Sequence, residues 1–501
     1  MAKKKLPIGL LNTFSSLLLQ IVTIINGFIF PRLILSTFGS ETNGLVSSLS
    51  QFLNYISLLE GGVNGVIMAS LYKPIAKGDN EKLSSIVFTS RRFFRRISYI
   101  FIAYAVGLAF IYPALSNSTF DYGFICTLTM ILSIKLFSQY CFSLSYQNLL
   151  NASKRGYIIS FSKILLIVLD IVSIFIITRF CPSIHLVEIC SAAIYLIQPI
   201  IFNIAVKKFF KLNQKAKPDN QLIKSRWDGL SINIAYFIHS NTDVTLLTIF
   251  TNLHTISVYS VYCLVSAGVS KMINAVTGAI SPSIGNLYAL GDKEELNRKF
   301  DLYEYLTFTM CFLLFGVALL LITPFVMIYT SNITDTNYYQ PIFGVLIIIA
   351  EMIYAIRSPY VNLAYNAGKF KDITKHAYIE AILNIVISII LVQWIGLLGV
   401  AIGTVVAITY RTAFQIWYLR DHLINRPLRK FLKRFFAMCL PTAAVIVLLQ
   451  LVYPITDWTI VNWLIHAVVY TISIGAVVAA VSFAYFRKDI NTLKIYLKHR
   501  H

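Results

Sequence analysis

Residues Ala76-Lys77-Gly78-Asp79-Asn80-Glu81-Lys82-Leu83 return as Ala289-Leu290-Gly291-Asp292-Lys293-Glu294-Glu295-Leu296, with five of eight positions identical at a spacing of 213. A second pair, Asn151-Ala152-Ser153-Lys154 and Asn366-Ala367-Gly368-Lys369, recurs at a spacing of 215. Each of these polar segments separates long apolar runs. The same connections therefore occur in the same order in two halves of the chain. Because equivalent loops fall on the same side of the apolar runs, the halves read as parallel repeats related by an axis along a membrane normal.

Working outward from these loops, 36 of the 43 Lys and Arg residues fall in eight short segments. These are Lys3 to Lys5, 71–96, 149–157, 207–228, 290–299, 364–375, 420–434 and the tail from 487. Each is separated from the next by a pair of apolar runs, and the intervening loops carry only Arg32 and Arg179. Positive charge concentrates on the cytoplasmic side of membrane helices. The pattern therefore predicts fourteen transmembrane helices with both termini in the cytoplasm. The spans are drawn at 7–35, 43–70, 97–116, 123–148, 158–178, 186–206, 229–251, 256–280, 302–328, 339–363, 376–394, 397–419, 436–453 and 461–486. The Trp residues agree: Trp227 and Trp417 fall at the cytoplasmic interface, and Trp394, Trp458 and Trp463 at the outer one.

The expected architecture is an all-α polytopic membrane protein of two parallel six-helix repeats plus a C-terminal two-helix hairpin. Residues 1–206 form the N-lobe, 207–228 a cytoplasmic linker, 229–419 the C-lobe, and 420–501 the hairpin and tail. The chain is 501 residues, 57% hydrophobic and 13% charged, with mean hydropathy +0.70. Soluble domains carry about 25% charged residues. Fourteen spans of about 20 residues leave no room for a nucleotide-binding domain, and no P-loop is present, so active transport has to draw on an ion or substrate gradient. The net charge of +21 sits at membrane boundaries, which favours anionic lipid head groups over nucleic acid.

The seven cysteines (126, 141, 181, 190, 263, 311 and 439) contain no CxxC and read as packing residues, with a Cys181–Cys190 disulfide as the alternative. The Lys-rich N-terminus precedes an apolar run too long for a signal peptide and reads as the first helix.

Further segments carry a resemblance: Leu59-Glu60-Gly61-Gly62, Asn241-Thr242-Asp243 and Val258-Tyr259-Ser260-Val261-Tyr262. With two six-helix halves, two extra helices and Gly-Asp loops after spans 2 and 8, the whole chain resembles the polysaccharide-transport branch of the MATE/MOP flippase superfamily. That resemblance implies a V-shaped fold and alternating access in a bacterial plasma membrane. It also implies movement of undecaprenyl-diphosphate-linked oligosaccharides to the outer leaflet for capsule, exopolysaccharide or O-antigen-type synthesis. The expected partners are this lipid-linked substrate, the bilayer, and polysaccharide polymerase and chain-length machinery, with the protein itself a monomer.

Charges inside the membrane are the site candidates, since each costs about 2.5–3.5 kcal/mol on insertion scales. The cations are Lys135, Lys163, Lys271, Arg357 and Arg411, and the acids are Glu60, Asp170, Asp243, Glu351 and Glu380. Lys135, Lys271 and Arg357 are assigned to a cationic cavity between the lobes that binds the substrate diphosphate, because Lys and Arg both bind phosphate. The alternative is internal pairing, for example of Lys271 with Asp243 or Glu60. Lys163 and Arg411 are secondary cations near the cytoplasmic interface, where long side chains snorkel.

Asn233, Tyr236, Ser240 and Asp243 share one helical face. Asp243, with Glu60 and Glu351, is assigned either to coupling of Na⁺ or H⁺ or to internal ion pairs. No metal site, other cofactor or catalytic constellation is expected. The competing functions are a lipid II flippase or a cation-coupled multidrug antiporter on the same fold, and a membrane polysaccharide polymerase. The short outer loops, nearly devoid of Arg, argue against the polymerase.

Overall fold

The computed structural model describes residues 8–60, 63–213, 216–219, 227–278, 280–424 and 426–498, and every regular element among them is helical. The chain gathers into two compact units, Met1–Ser257 and Val258–His501.

The first unit contains α1 (Ile8–Leu53), α2 (Ser57–Glu60), α3 (Val63–Lys77), α4 (Asn80–Leu115) and α5 (Tyr122–Ser138). It continues through α6 (Leu144–Ala152), α7 (Gly156–Phe180), α8 (Ile184–Tyr195), α9 (Ile197–Phe209) and α10 (Trp227–Phe250). Helix α11 (Leu253–Thr277) begins in this unit and runs into the second. The second unit then comprises α12 (Ser281–Leu290), α13 (Lys293–Tyr329), α14 (Pro341–Asn366), α15 (Phe370–Ile395) and α16 (Leu397–His422). It ends with α17 (Leu428–Val452), α18 (Ile460–Tyr485) and α19 (Arg487–Lys498).

Twelve helical segments among the described residues are long and apolar enough to cross a membrane. Their outward faces are apolar, as a bilayer solvent requires: Phe180 is 82% exposed, Trp394 83% and Leu451 76%. The protein is a multi-pass membrane protein. Two features separate twelve from the fourteen spans drawn on the sequence. The expected spans 1 and 2 run on as Ile8–Glu60, kinked at Gly39 (φ 81°, ψ 177°) and tightened to a 3₁₀ turn at Asn54–Ile56. Gly39 lies in the polar stretch 36–42 left between those two spans, and its positive φ turns the chain there while the helical run continues on either side. Helix α10 has a span's length, 24 residues, but its Asn, His, Ser, Thr and Asp residues dilute its hydropathy.

The repeated loop segments fold alike. Gly78 (φ 69°) and Gly291 (φ 74°) take the left-handed conformation just past a helix end. Asp79 and Asp292 then cap the next helix, accepting from Lys82 N at 2.9 Å and Glu295 N at 3.1 Å. Glycine adopts this backbone freely, and Asp satisfies an orphan amide of the first turn. The second pair corrects the alignment by one residue. Arg155 N donates to Leu150 O at 2.8 Å, and Lys369 N to Ala364 O at 3.1 Å. The positive φ falls on Lys154 (60°) and Gly368 (70°). The geometry therefore corresponds at a spacing of 214, whereas letter matching aligned the Asn residues at 215.

Between α5 and α6 the helix widens into a π turn at Gln139–Ser143, a feature common at functional sites. In the second unit α15 and α16 form a tight hairpin about Gly396 (φ 54°). A Cβ on Gly399 would meet Leu391 backbone, and one on Gly403 would meet Ser388, so these glycines set the closeness of the pair.

All seven cysteines are free. Trp394, Trp417 and Trp458 are exposed, and Trp463 donates to Leu321 O at 3.2 Å. The Trp227 side chain lies outside the described residues.

Candidate functional site

Each unit holds a buried charge cluster built on three long helices. In the first unit, Lys135 comes from α5, Asp170 from α7 and Glu188 from α8. Lys135 Nζ lies 2.8 Å from Glu188 Oε2 and 5.7 Å from the centre of the Tyr195 ring. Asp170 is 4% exposed and Glu188 1%. These groups border a cavity of about 310 Å³ that is also lined by Asn26, Asn54 and Tyr195. Asp170 Oδ1 and Glu188 Oε1 are buried without a hydrogen-bond partner among the described residues. One ammonium thus faces two carboxylates in a medium where like charges repel strongly.

In the second unit the balance is reversed. Arg357 on α14 and Arg411 on α16 share Glu380 on α15. Arg357 Nη1 donates to Glu380 Oε1 at 2.7 Å, and Arg411 Nη1 donates to Glu380 Oε2. Arg357, Arg411 and Glu380 are 3%, 5% and 0% exposed, and Arg357 also stacks 4.9 Å from the Tyr354 ring centre. Two guanidiniums on one carboxylate leave a positive excess inside the bundle.

The clusters also differ in depth, each measured from the equivalent turn of its own unit. Lys135 precedes the Lys154 turn by 19 residues and Arg357 precedes Gly368 by 11, a difference of about 12 Å along a helix.

Of the residues chosen from sequence, Lys135 and Arg357 are central to these clusters but ion-paired. Arg411 does not snorkel. Glu380 is fully buried beside it, and a desolvated guanidinium is held there by the carboxylate. Lys163 is half-buried on α7, and Lys271 is exposed on α11. Glu351 on α14 accepts from Ser270 Oγ at 2.6 Å, one residue before Lys271. Glu60 accepts from Tyr140 OH at 3.2 Å, on the π turn.

Asp243 is buried on α10. That helix is joined to α1 by Ser48 and Thr248, whose hydroxyls lie 2.7 Å apart, and by Gln51 donating to Asn241. The side chains of Asn233, Tyr236 and Ser240 lie outside the described residues.

Sequence reading missed two groups. Glu188 lies near the outer end of the span drawn at 186–206 but is not among the acids singled out there. Its signal was the shared helical face of Glu188, Ser191 and Tyr195. The second group is an ion network at the basic end of the second unit. Arg426 pairs with Asp301 and Glu304, and Lys430 with Asp301. Arg434 pairs with Glu304 and, at 2.7 Å, with Asp489. Tyr360 OH donates to Glu304. The basic residues of 420–434 were counted as solvated topology signals, whereas two of them, Arg426 and Arg434, are buried against acids on α13.

Known proteins place the fold. The lipid II flippase MurJ in an inward closed conformation has TM-score 0.71 at 15% identity, covering 96% of this chain and 100% of that one. The MATE multidrug transporter DinF-BH has TM-score 0.57 at 16% identity, covering 85% and 98%. An inward-facing multidrug resistance MATE transporter of the MOP superfamily has TM-score 0.54 at 14% identity, covering 78% and 93%. The fold is therefore MurJ/MATE-like. An uncharacterized membrane protein of Methanocaldococcus jannaschii, MJ1068, is 26% identical over 238 residues, 45% of this chain. The chain spans 46% of the length of that relative. No family model matches the sequence.

Proposed function

We propose that this protein is a flippase that moves an anionic, lipid-linked oligosaccharide carried on undecaprenyl diphosphate from the cytoplasmic to the outer leaflet by alternating access. It is a transporter, not an enzyme, with fourteen spans and both termini cytoplasmic in a bacterial plasma membrane. The observation that carries this reading is the buried cationic centre of the second unit, a unit that also holds a separate apolar cavity. The Arg357–Glu380–Arg411 cluster holds the positive excess, and Lys271 supplies an exposed ammonium on α11. The cavity, of about 460 Å³, lies between α13, α14 and α17 and is lined by Leu320, Pro324, Val345, Val447, Leu451 and Trp458. A diphosphate requires the first and a polyprenyl chain suits the second. The C-terminal helices wall that cavity, and the likeness that spans nearly the whole chain is to a lipid flippase.

A cation-coupled reading belongs to the first unit of the same machine. The two buried carboxylates beside Lys135, Asp170 and Glu188, would take H⁺ or Na⁺, with Asp243, Glu60 and Glu351 as the alternative acids. The lipid II flippase and the multidrug antiporter remain the competitors on this fold.

The test is transport by the full chain in liposomes holding a fluorescent undecaprenyl-diphosphate glycan, read by quenching from one side. Lys271→Ala should slow flipping about tenfold or more, as loss of one charge-assisted phosphate contact does. Asp170→Asn should remove its dependence on an imposed pH or Na⁺ gradient. Drug or ion exchange without glycolipid flipping would overturn the proposal in favour of the antiporter.

A further inference from the structure

Outside these clusters, the first unit carries a groove of about 840 Å³ at the end of its helices that bears the basic loops. Its walls are α4, α9 and the π turn leading into α6. Arg91, Lys207 and Lys211 line it, and among the described residues no Asp or Glu does. Asn203 adds an amide beside them. Farther along α9 and on the π turn the lining becomes apolar and outward-facing: Ile200 is 58% exposed, Phe142 44% and Leu196 42%. From Lys207 to Leu196 is about 16 Å along a helix.

The segment after α9 forms the rim, with Phe210 and Leu212 lining the groove beside Lys211. This segment does not hang free. Asn213 N donates to Ser84 Oγ at 2.9 Å, Ser85 Oγ to Lys217 O at 2.7 Å, and Asp219 N to Thr89 Oγ1 at 2.7 Å. Three bonds thus strap it along α4 and fix Lys211 over the cavity.

We infer that this groove is a binding site for an anionic diacyl phospholipid. The phosphate sits among Arg91, Lys207 and Lys211, and an acyl chain runs down past Pro199, Ile200 and Leu196. Charge complementarity selects the occupant. Three cations, with no lining acid among the described residues, sit where a head group would lie, above an apolar slot open to the bilayer. A neutral lipid leaves the cations without a counter-charge, and a free phosphate leaves the apolar slot exposed. The site is separate from the two buried clusters and does not depend on the substrate proposed above.

Native mass spectrometry of the full chain in detergent tests this, with phosphatidylglycerol and phosphatidylcholine of identical acyl chains. We expect phosphatidylglycerol to bind at least about tenfold more tightly, in line with the attraction of several basic residues to an anionic head group. The variant Arg91→Gln/Lys207→Gln/Lys211→Gln should remove that preference. Arg487→Gln/Lys488→Gln/Lys494→Gln, in the tail, should keep it. Ile200→Trp, which fills the slot without touching a charge, should weaken both lipids and guards against misfolding of the triple variant. Equal binding of the two lipids, or a preference that survives the triple variant, would overturn the site. Displacement of the lipid by millimolar inorganic phosphate would overturn the lipid as its occupant.

Discussion

At the scale of single residues, the deciding quantity is how many charges each buried partner satisfies. Glu380 serves two guanidiniums, whereas Arg357 and Arg411 each share it. Removing one arginine leaves a matched pair, and removing the glutamate strands two buried cations. Breaking a buried pair costs about 3–5 kcal/mol. Thermal unfolding in detergent should therefore rank Glu380→Leu well below both Arg357→Leu and Arg411→Leu. Equal losses for all three would refute a shared carboxylate. The presence of Lys135, Arg357, Asp170 and Glu380 inside spans was legible in the sequence, because ionisable residues stand out in apolar runs. Their partners were not. Lys135 meets Glu188 across 53 positions, and Arg357 meets Glu380 across 23, and nothing in local spacing encodes a meeting between different helices.

At the scale of elements, the repeated turns show how short signatures become geometry. Gly78-Asp79 and Gly291-Asp292 are the same helix end and helix start built twice. Asp79→Ala and Asp292→Ala should each lower stability by about 1 kcal/mol, the usual worth of an N-cap. Lys154 occupies the left-handed position that Gly368 occupies in the other unit. Lys154→Gly should then raise the melting temperature, while Gly368→Ala lowers it by a comparable amount, since left-handed backbone costs a residue with a Cβ roughly 1–2 kcal/mol. A lower melting temperature for Lys154→Gly, or an unchanged or higher one for Gly368→Ala, would sink the correspondence at 214. These turns were legible because glycine and aspartate act locally. The one-residue slip was not, because identity of letters outweighed the backbone position that a Schellman-type end requires. The kink of α1 at Gly39 was legible as well, because Ser36, Thr37, Ser40, Glu41 and Thr42 interrupt the apolar run there.

At the scale of the whole molecule, the basic segments have two roles that composition cannot separate. They mark one side of the membrane, and in 420–434 they also fasten α17 and α19 to α13 through Asp301, Glu304 and Asp489. Glu304→Gln should loosen that fastening and speed limited proteolysis within 420–434, with little change at the 364–375 loop. Unchanged cleavage would show the network to be dispensable. Orientation has its own check: an impermeant maleimide applied to intact cells should label exposed Cys181, and failure to label it would invert the proposed topology.

The helical class, the membrane environment, the recurring Gly-Asp turns and the presence of charge within apolar helices were determined by sequence alone. Each rests on local composition or on a period along one helix. Tertiary structure alone decided which charges neutralise one another, that the Lys135 cluster keeps an acidic excess and the Glu380 cluster a basic one, and that a strap forms the rim of a cationic groove. Those outcomes depend on distances between helices far apart in the chain. Electrostatic energy in a low-dielectric interior changes steeply over a few ångströms of such distance.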